Sequence, residues 1–372
     1  MRLGVNASRL SGQRLGIGRY IEYMVRYWAP LLTPSDRITL YVHEPVDESG
    51  LCLNEAIQVK VIGPKLKGVL WEHFVLSRYE KEMDVLFCPS YTMPLTYRGR
   101  SVVATHSVNE AQQGAHPWWY NLTYMPRYCL SARRANKVVV PSMSSKRHVQ
   151  ELYGIAPEKI EVVPEGAPDF FGPLEDEKLL RETRIKYLGE DRPYILFVGK
   201  LSQRRNIPAL LSAFSELKKR ENIPHKLLLF GPNVLNLPLE RLVNELGIQD
   251  SVVQTDGKLR SHQDIIPVYN AAALYILPSS YEGFSITLVE AMACGVPVIT
   301  VNRGATREIA EGCALMVDEP TPENLTSAMR RALADRPMMQ SYRAKALERA
   351  RCFRYAETAR QTLDVIRRVA HS

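Results

Sequence analysis

Cysteine is sparse and scattered in this chain. Six residues of 372, Cys52, Cys88, Cys129, Cys294, Cys313 and Cys352, form no C-x-x-C pair and have no histidines at metal-ligand spacing. That pattern excludes a disulfide framework or zinc module of recognisable spacing and makes a reduced, cytoplasmic setting the expectation. No apolar run approaches the length of a membrane span. The N-terminus, Met1-Arg2-Leu3-Gly4-Val5-Asn6, lacks a signal-peptide core and reads as a first strand. In that compartment the sequons at Asn6, Asn121 and Asn324 carry little meaning. There is no block of like charge, which argues against nucleic-acid binding. The net charge of +8 is spread evenly, +4 in residues 1–170 and +4 in the rest. It fits a phosphorylated ligand or an anionic membrane surface better. No Asp-x-Asp is present to hold a divalent metal on a diphosphate; the nearest acidic cluster is Glu175-Asp176-Glu177. Internal repeats and low-complexity segments are also lacking.

What is present is enough apolar material for two cores, 45% of residues. Short β-branched runs alternate with helical patterns, as in βαβ units with parallel sheets. The expected strands are 2–6, 38–43, 58–62, 85–87, 101–105 and 137–140, then 194–198, 226–230, 252–254, 274–277, 297–301 and 314–317. Between the two sets, Pro164, Pro168, Pro173 and the acidic run mark a junction. The fold class is therefore α/β with two similar doubly wound domains: 1–168, a linker over 169–192, and 193–352. An Arg-rich last helix covers about 355–370, within a C-terminal segment 353–372.

The most informative stretch runs from Glu282 to Ile299. Glu282 and Glu290 stand eight positions apart. Gly283-Phe284-Ser285 loosens a loop that turns into a helix, Leu288, Val289, Ala291, Met292 and Ala293 supply its apolar face, and Gly295 and Pro297 end it. A helix that starts this way offers free backbone N–H groups and a positive dipole end, suited to a phosphate. At roughly 100° per residue the eight-residue spacing returns both glutamates to a similar side. A Glu pair alone reads as an amphipathic helix with two solvated carboxylates; Pro278-Ser279 before it and Gly295-Val-Pro-Val298 after it narrow the reading.

This stretch resembles the signature of the family-four retaining glycosyltransferases, which have the GT-B architecture of two Rossmann-like domains facing a central cleft. The resemblance implies that Glu282 touches the donor sugar, Glu290 holds the ribose, and the backbone of Gly283, Phe284, Ser285, Ile286 and Thr287 holds the diphosphate. It also implies that the last helix folds back onto the first domain. Phe197-Val198-Gly199-Lys200-Leu201 and Arg204-Arg205-Asn206 lie at a strand end and a helix start, where two cations can embrace a diphosphate. The family pattern there is Gly-Arg-Leu…Lys-Asn; Lys200 stands for its arginine, Arg205 for its lysine, and Arg204 can replace either. Gly231 and the Asp256-Gly257-Lys258-Leu259 turn end further strands, and the resemblance puts the nucleoside base near Lys258 and Leu259. Asn302-Arg303-Gly304 and Glu308 receive no catalytic role.

In the first half, Gly16-Ile17-Gly18 has Ile21 where a dinucleotide fingerprint needs its third glycine. The segment from Gly4 to Tyr20 is similar to the mannosyltransferase-like subgroup that builds surface polysaccharides and glycolipids, which places this loop against the donor diphosphate. That subgroup usually has aspartate at Asn6. His106 ends a strand at the carboxyl edge, and the resemblance sets it beside the transferring sugar or β-phosphate. The aspartate that often follows is Ser107 here, so a role needing that partner is not expected. Two segments read either as packing helices or as acceptor or membrane surfaces. One is 65–82, with Lys65, Lys67, Trp71, Phe74, Leu76, Arg78 and Lys81. The other is 116–137, with Trp118, Trp119, Tyr120, Tyr124, Tyr128, Arg127, Arg133, Arg134 and Lys137.

The reading is a retaining glycosyltransferase that moves a sugar from a nucleotide diphosphate sugar to a glycan or lipid-linked acceptor. It needs no metal or other cofactor, since Lys200, Arg205 and helix dipoles neutralise the leaving charge. Domain closure is expected to exclude water. The protein is expected to be cytoplasmic with peripheral contact at an anionic inner membrane face, and to bind no nucleic acid. The alternatives are a GT-B nucleotide-sugar epimerase, a non-catalytic GT-B partner subunit and, least favoured, a nicotinamide-dependent oxidoreductase. Glu282→Ala and Lys200→Ala are expected to abolish transfer with the fold intact.

Overall fold

A computed structural model of the chain describes residues 1–12, 14, 16–64, 66, 68–108 and 118–372, with backbone alone at 118–122. Lys65, Lys67, residues 116–117 and the side chains of Trp118, Trp119 and Tyr120 therefore lie outside the described residues. The chain forms two compact units, Met1–Gly166 with Tyr355–Ser372, and Ala167–Arg354.

The first unit carries strands β1 (Arg2–Asn6), β2 (Arg37–Val42), β3 (Ile57–Val61), β4 (Val85–Cys88), β5 (Arg100–Ala104), β6 (Lys137–Val140) and β7 (Ile160–Val162). They form a parallel sheet in the order β3-β2-β1-β4-β5-β6-β7. Register is set by pairs such as Leu3 with Val85 and Val5 with Leu40. The order reverses between β1 and β4, so the loops that leave these two strands part to opposite sides and open a crevice at the carboxyl edge. The helix Tyr355–His371 belongs to this unit. Its Ala359 carbonyl accepts from the Trp28 indole at 2.8 Å, and Arg367 pairs with buried Asp36 at 3.0 Å.

The second unit carries β8 (Tyr194–Val198), β9 (Lys226–Phe230), β10 (Val252–Thr255), β11 (Leu274–Leu277), β12 (Val298–Val301) and β13 (Leu315–Val317). Their order is β10-β9-β8-β11-β12-β13, again parallel, with the reversal between β8 and β11. Strands β8, β11 and β12 are buried along their whole length. Unbroken apolar runs such as Tyr-Ile-Leu-Phe-Val are what a sheet covered on both faces requires.

Two expectations are corrected. Residues 169–192 are not a linker: they belong to the second unit and contain the helix Glu177–Leu188. The acidic run that suggested a junction is its N-terminal cap. Asp176 accepts from the Leu179 amide at 3.1 Å, satisfying one of the groups that a helix start leaves open, and Glu177 pairs along the helix with Arg184 at 2.7 Å. Strand β7 was not expected, because Ile-Glu-Val is too short to show alternation. The unit boundaries fall at Gly166/Ala167 and Arg354/Tyr355. Of the segment 65–82, residues Val69–Phe74 form a short α-helix, followed by a 3-10 helix, Leu76–Glu82. Trp71 is buried, whereas Leu70 and Phe74 are exposed.

Candidate active site

In the second unit the residues singled out from the sequence leave β8 and β11, the two strands at the reversal. After β8 the chain makes a close turn. Gly199 has φ 137°, and a Cβ there would lie 2.3 Å from Nη1 of Arg205; a Cβ on Gly231, after β9, would lie 2.1 Å from the Gly199 carbonyl oxygen. Only glycine lets these two turns stack and leaves room for the guanidinium. Arg205 is held there, with Nη1 donating to the Val198 carbonyl at 3.3 Å.

Opposite it, after β11, stands Glu282. Its Oε1 lies 3.3 Å from Nη1 of Arg204 and 3.8 Å from Nη2 of Arg205, with only 9% of the carboxylate side chain exposed. Arg204 also donates to the Tyr281 carbonyl. Burial pushes the Glu282 pKa upward, but Arg205 and then Arg204 overcome it and hold it below the usual carboxylate range. The structure thus joins Glu282 to Arg205 and to Arg204. Lys200 is exposed and, among the described residues, joins no ion pair.

The helix after Glu282 runs Ile286–Ala293, preceded by Ser285 at φ 106°, ψ 81°, with no side chain capping its N-terminus. A non-glycine residue in that conformation is strained, and such strain clusters at functional sites. Amides at an uncapped helix start remain available to an anion. Thr287 accepts from the Tyr275 hydroxyl at 2.9 Å, which steadies the first turn, and the Phe284 ring packs edge-on to Phe353.

Glu290 is 2% exposed, with Oε2 accepting from the Tyr269 hydroxyl at 2.8 Å and Oε1 lying 3.0 Å from Nε2 of His262. The two glutamates therefore sit in separate settings, one between arginines and one between a tyrosine and a histidine. Neither His262 nor Tyr269 was visible as a partner, since they reach Glu290 across the fold with no motif linking them. In the Asp256 turn the Lys258 amide is already used, donating to Oδ1 of Asp256 at 3.0 Å, and Leu259 packs against the core.

In the first unit, Gly16 takes φ 50° before the helix Ile17–Trp28, and a Cβ on Gly18 would lie 2.7 Å from the Arg9 carbonyl oxygen. The loop thus packs directly on the turn that follows β1. His106, after β5, does have a carboxylate partner, contrary to what Ser107 suggested. Glu165, 6% exposed, places Oε1 2.5 Å from Nδ1, while Nε2 donates to the Pro89 carbonyl at 2.8 Å. This partner lies 59 residues along the chain and carried no local signal. Both ring nitrogens are engaged, Nδ1 with Glu165 and Nε2 with the Pro89 carbonyl. Tyr20 and Tyr91 hold it edge-on, with centroids at 4.8 and 5.6 Å.

Burial disfavours a charged His106, but Glu165, by charge and hydrogen bond, and the Pro89 carbonyl outweigh it and raise the pKa above the ordinary 6.5. A histidine with a raised folded pKa contributes stability that is complete below its unfolded value and is lost as pH rises through the folded one. Glu165→Gln is therefore expected to lower the melting temperature most below about pH 6.5, with the difference from wild type narrowing toward alkaline pH. Melting curves across pH check this, and a pH-independent difference would remove the charged pair.

Among the described residues no three His, Cys, Asp or Glu side chains gather in a way that could hold a metal ion, and no helix is long and apolar enough to cross a membrane.

Comparison with known proteins places the chain. The family model for glycosyl transferases group 1 matches residues 181–349, and that for glycosyltransferase family 4 matches residues 16–169. A D-inositol 3-phosphate glycosyltransferase of Nocardioides sp. is 31% identical over 255 residues, 63% of this chain and 54% of that protein. An MMP α-(1→4)-mannosyltransferase of Mycolicibacterium hassiacum is 29% identical over 255 residues, 66% of this chain and 57% of that protein. The chain thus spans little more than half the length of these relatives. The crystal structure of Anabaena HepE with UDP-glucose superposes with a TM-score of 0.77 at 16% identity, covering 98% of both chains, a likeness of fold. With both sheets of the GT-B type and both halves matched, the chain belongs to the family-four glycosyltransferases.

Proposed function

We propose that the protein transfers a sugar from a nucleotide diphosphate sugar to a glycan or lipid-linked acceptor with retention of the anomeric centre. The observation that carries this reading is the buried Glu282 between Arg204 and Arg205, beside the uncapped, strained start of the Ile286–Ala293 helix. The guanidinium of Arg205, the ammonium of Lys200 and the Phe284–Thr287 amides are donors for a diphosphate whose charge grows as the glycosidic bond breaks. Glu282 is assigned to orienting the sugar hydroxyls. Glu290, buried at the helix that follows this site, is assigned to the ribose. His106 and the Gly16–Gly18 loop are the first unit's contribution, the histidine through its charge. Gly199 and Gly231 keep the diphosphate turn close, and the Lys258 and Leu259 backbone is assigned to the base. Leaving-group charge met by these cations makes the reaction metal-independent in this reading. The leaving phosphate departs on the face the acceptor hydroxyl approaches, so no covalent nucleophile is required. Binding of UDP-glucose by HepE supports a nucleotide sugar as donor, and the M. hassiacum relative favours a mannosyl-type sugar.

A thermal-shift screen with UDP, GDP, ADP and TDP sugars, without and then with divalent metal, tests the donor. Ligand at about 100 times its Kd adds roughly 2.7 kcal/mol, so one nucleotide is expected to raise the melting temperature without metal. NMR of the product then reads the anomeric configuration. Conversion of donor with no acceptor present would turn the reading to an epimerase, and no shift with any nucleotide would turn it to a partner subunit.

Peripheral membrane contact rests on Leu70 and Phe74, 56% exposed each on one short helix of a basic chain. Exposed apolar side chains at an interface add to electrostatic attraction. Replacing both by serine is expected to reduce sedimentation with phosphatidylglycerol vesicles several-fold at low salt; unchanged sedimentation would dismiss this face.

A further inference from the structure

The second unit also has a cavity of about 460 Å³ at the amino edge of its sheet, the edge away from Glu282. His225, Ala273 and Pro297, which line it, stand just before β9, β11 and β12. Sites for drug-sized ligands run to roughly 300–1,000 Å³, so the volume is that of a binding pocket. Leu174, Leu180, Val296, Pro297, Leu333 and Met339 give it an apolar body, and no aspartate or glutamate among the described residues lines it. Asn270, on the same wall, is already used. It donates to the carbonyls of Gly172 and Ile266 and accepts from the Leu174 amide at 2.8 Å.

The charged groups narrow the ligand. One wall is the helix Arg336–Ala350, whose Arg336, Gln340 and Arg343 line the cavity. These positions fall at i, i+4 and i+7, a single stripe of a helix. Other helix arginines of this unit are matched four residues away, Arg241 by Glu245 at 2.7 Å and Arg307 by Glu311 at 2.9 Å. Arg336 and Arg343 have only alanine, leucine, methionine and glutamine three and four residues to either side. Both are exposed and, among the described residues, join no ion pair. Asp335, beside Arg336, is committed to the Met338 amide as the helix cap. Arg343 lies over the turn that ends the helix Ile286–Ala293, for a Cβ on Gly295 would stand 3.1 Å from its Nε. His225 adds another unmatched group, since its buried Nδ1 has no hydrogen-bond partner among the described residues. A packing gap is apolar throughout and stays dry; this cavity joins an apolar body to two uncompensated cations. A cationic ligand would be repelled, and a neutral apolar one would leave both arginines unmatched. The guanidinium fork fits the two oxygens of a carboxylate. Seven residues span about 10 Å of helix axis, so both long side chains can reach one group between them.

We propose that this cavity binds a small amphipathic carboxylate, its acyl or aryl body on the apolar wall and its carboxylate held between Arg336 and Arg343. Cys294 and Gly295 bring the cavity to the end of the helix Ile286–Ala293, whereas the residues assigned to the donor stand at its start. The site is therefore separate from the donor residues, and its binding does not rest on the transferase reading.

Saturation-transfer NMR and melting curves on the full chain, with octanoate and 3-phenylpropionate as probes, test it. Wild type is expected to transfer saturation to at least one probe and to melt higher in its presence. Octan-1-ol and octylamine carry the same apolar chain without the carboxylate and are expected to bind about tenfold more weakly or less. The double variant Arg336→Gln with Arg343→Gln is expected to weaken carboxylate binding about tenfold or more. Without ligand its melting temperature should stay within about 2 °C of wild type, because both side chains are exposed and unpaired. Arginines with a purely structural role would not divide the two readouts in this way. No signal from either carboxylate, binding of octan-1-ol as tight as octanoate, or wild-type carboxylate affinity in the double variant would each overturn the proposal.

Discussion

Glu282→Gln is expected to reduce transfer by about 10²-fold or more, the scale seen when one preorganised polar group is removed from a reacting centre. The carboxylate is the common partner of Arg204 and Arg205, and neutralising it leaves two half-buried guanidinium groups without their counter-charge. Loss of a largely desolvated ion pair destabilises the folded state, so the variant should also melt lower. The expectation from sequence, loss of activity with the fold intact, therefore does not carry over to Glu282→Ala. Lys200→Ala is the cleaner experiment. Lys200 is exposed and joins no ion pair among the described residues, so its loss should leave the melting temperature within about 1–2 °C, since surface changes stay within ±0.5 kcal/mol. If Lys200 meets the diphosphate, transfer falls while stability does not. Full activity in Glu282→Gln, or in Lys200→Ala, would overturn that residue's assignment.

Glu72→Gln should have the opposite effect on stability. Burial pushes Glu72 up to about 7 from an ordinary 4.5, against hydrogen bonds from Thr92 and Asn6 and the charge of Arg9. Between these two values the folded state binds a proton that the unfolded state has released. Stability attributable to this group is thus complete below about pH 4.5 and is lost as pH rises through about 7. At 1.36 kcal/mol per pKa unit the penalty above pH 7 is about 3 kcal/mol. Glutamine keeps an oxygen for Asn6 and Thr92 and has no charge to bury, so the variant is expected to be more stable than wild type by up to that amount at pH 8 and nearly equal to it at pH 4.5. Chemical denaturation at the two pH values measures this directly. A variant less stable at both would mean that Glu72 is a satisfied structural carboxylate.

Much of this molecule was legible in the order of residues because its determinants are local. Apolar runs such as Tyr194–Val198 and Leu274–Leu277 announce buried parallel strands by themselves, and Gly283-Phe284-Ser285 before an apolar helix announces an uncapped helix start at a strand's carboxyl end. Local pattern also misled where one composition serves two ends: the prolines and acids of 164–177 read as a junction, and the acids proved to cap a helix. The partners of the charged groups were a different matter. Glu165 reaches His106 across 59 residues, Glu72 reaches Asn6 across 66, and Tyr269 reaches Glu290 across 21. Such pairings depend on which strand lies beside which and on where a loop turns after it leaves the sheet. Chain order therefore determined the strands, the switch-point loops and the residue types offered there. Tertiary structure decided which carboxylate is matched by charge, as Glu282 is by two arginines, and which by hydrogen bonds from distant segments, as Glu72 is by Asn6 and Thr92.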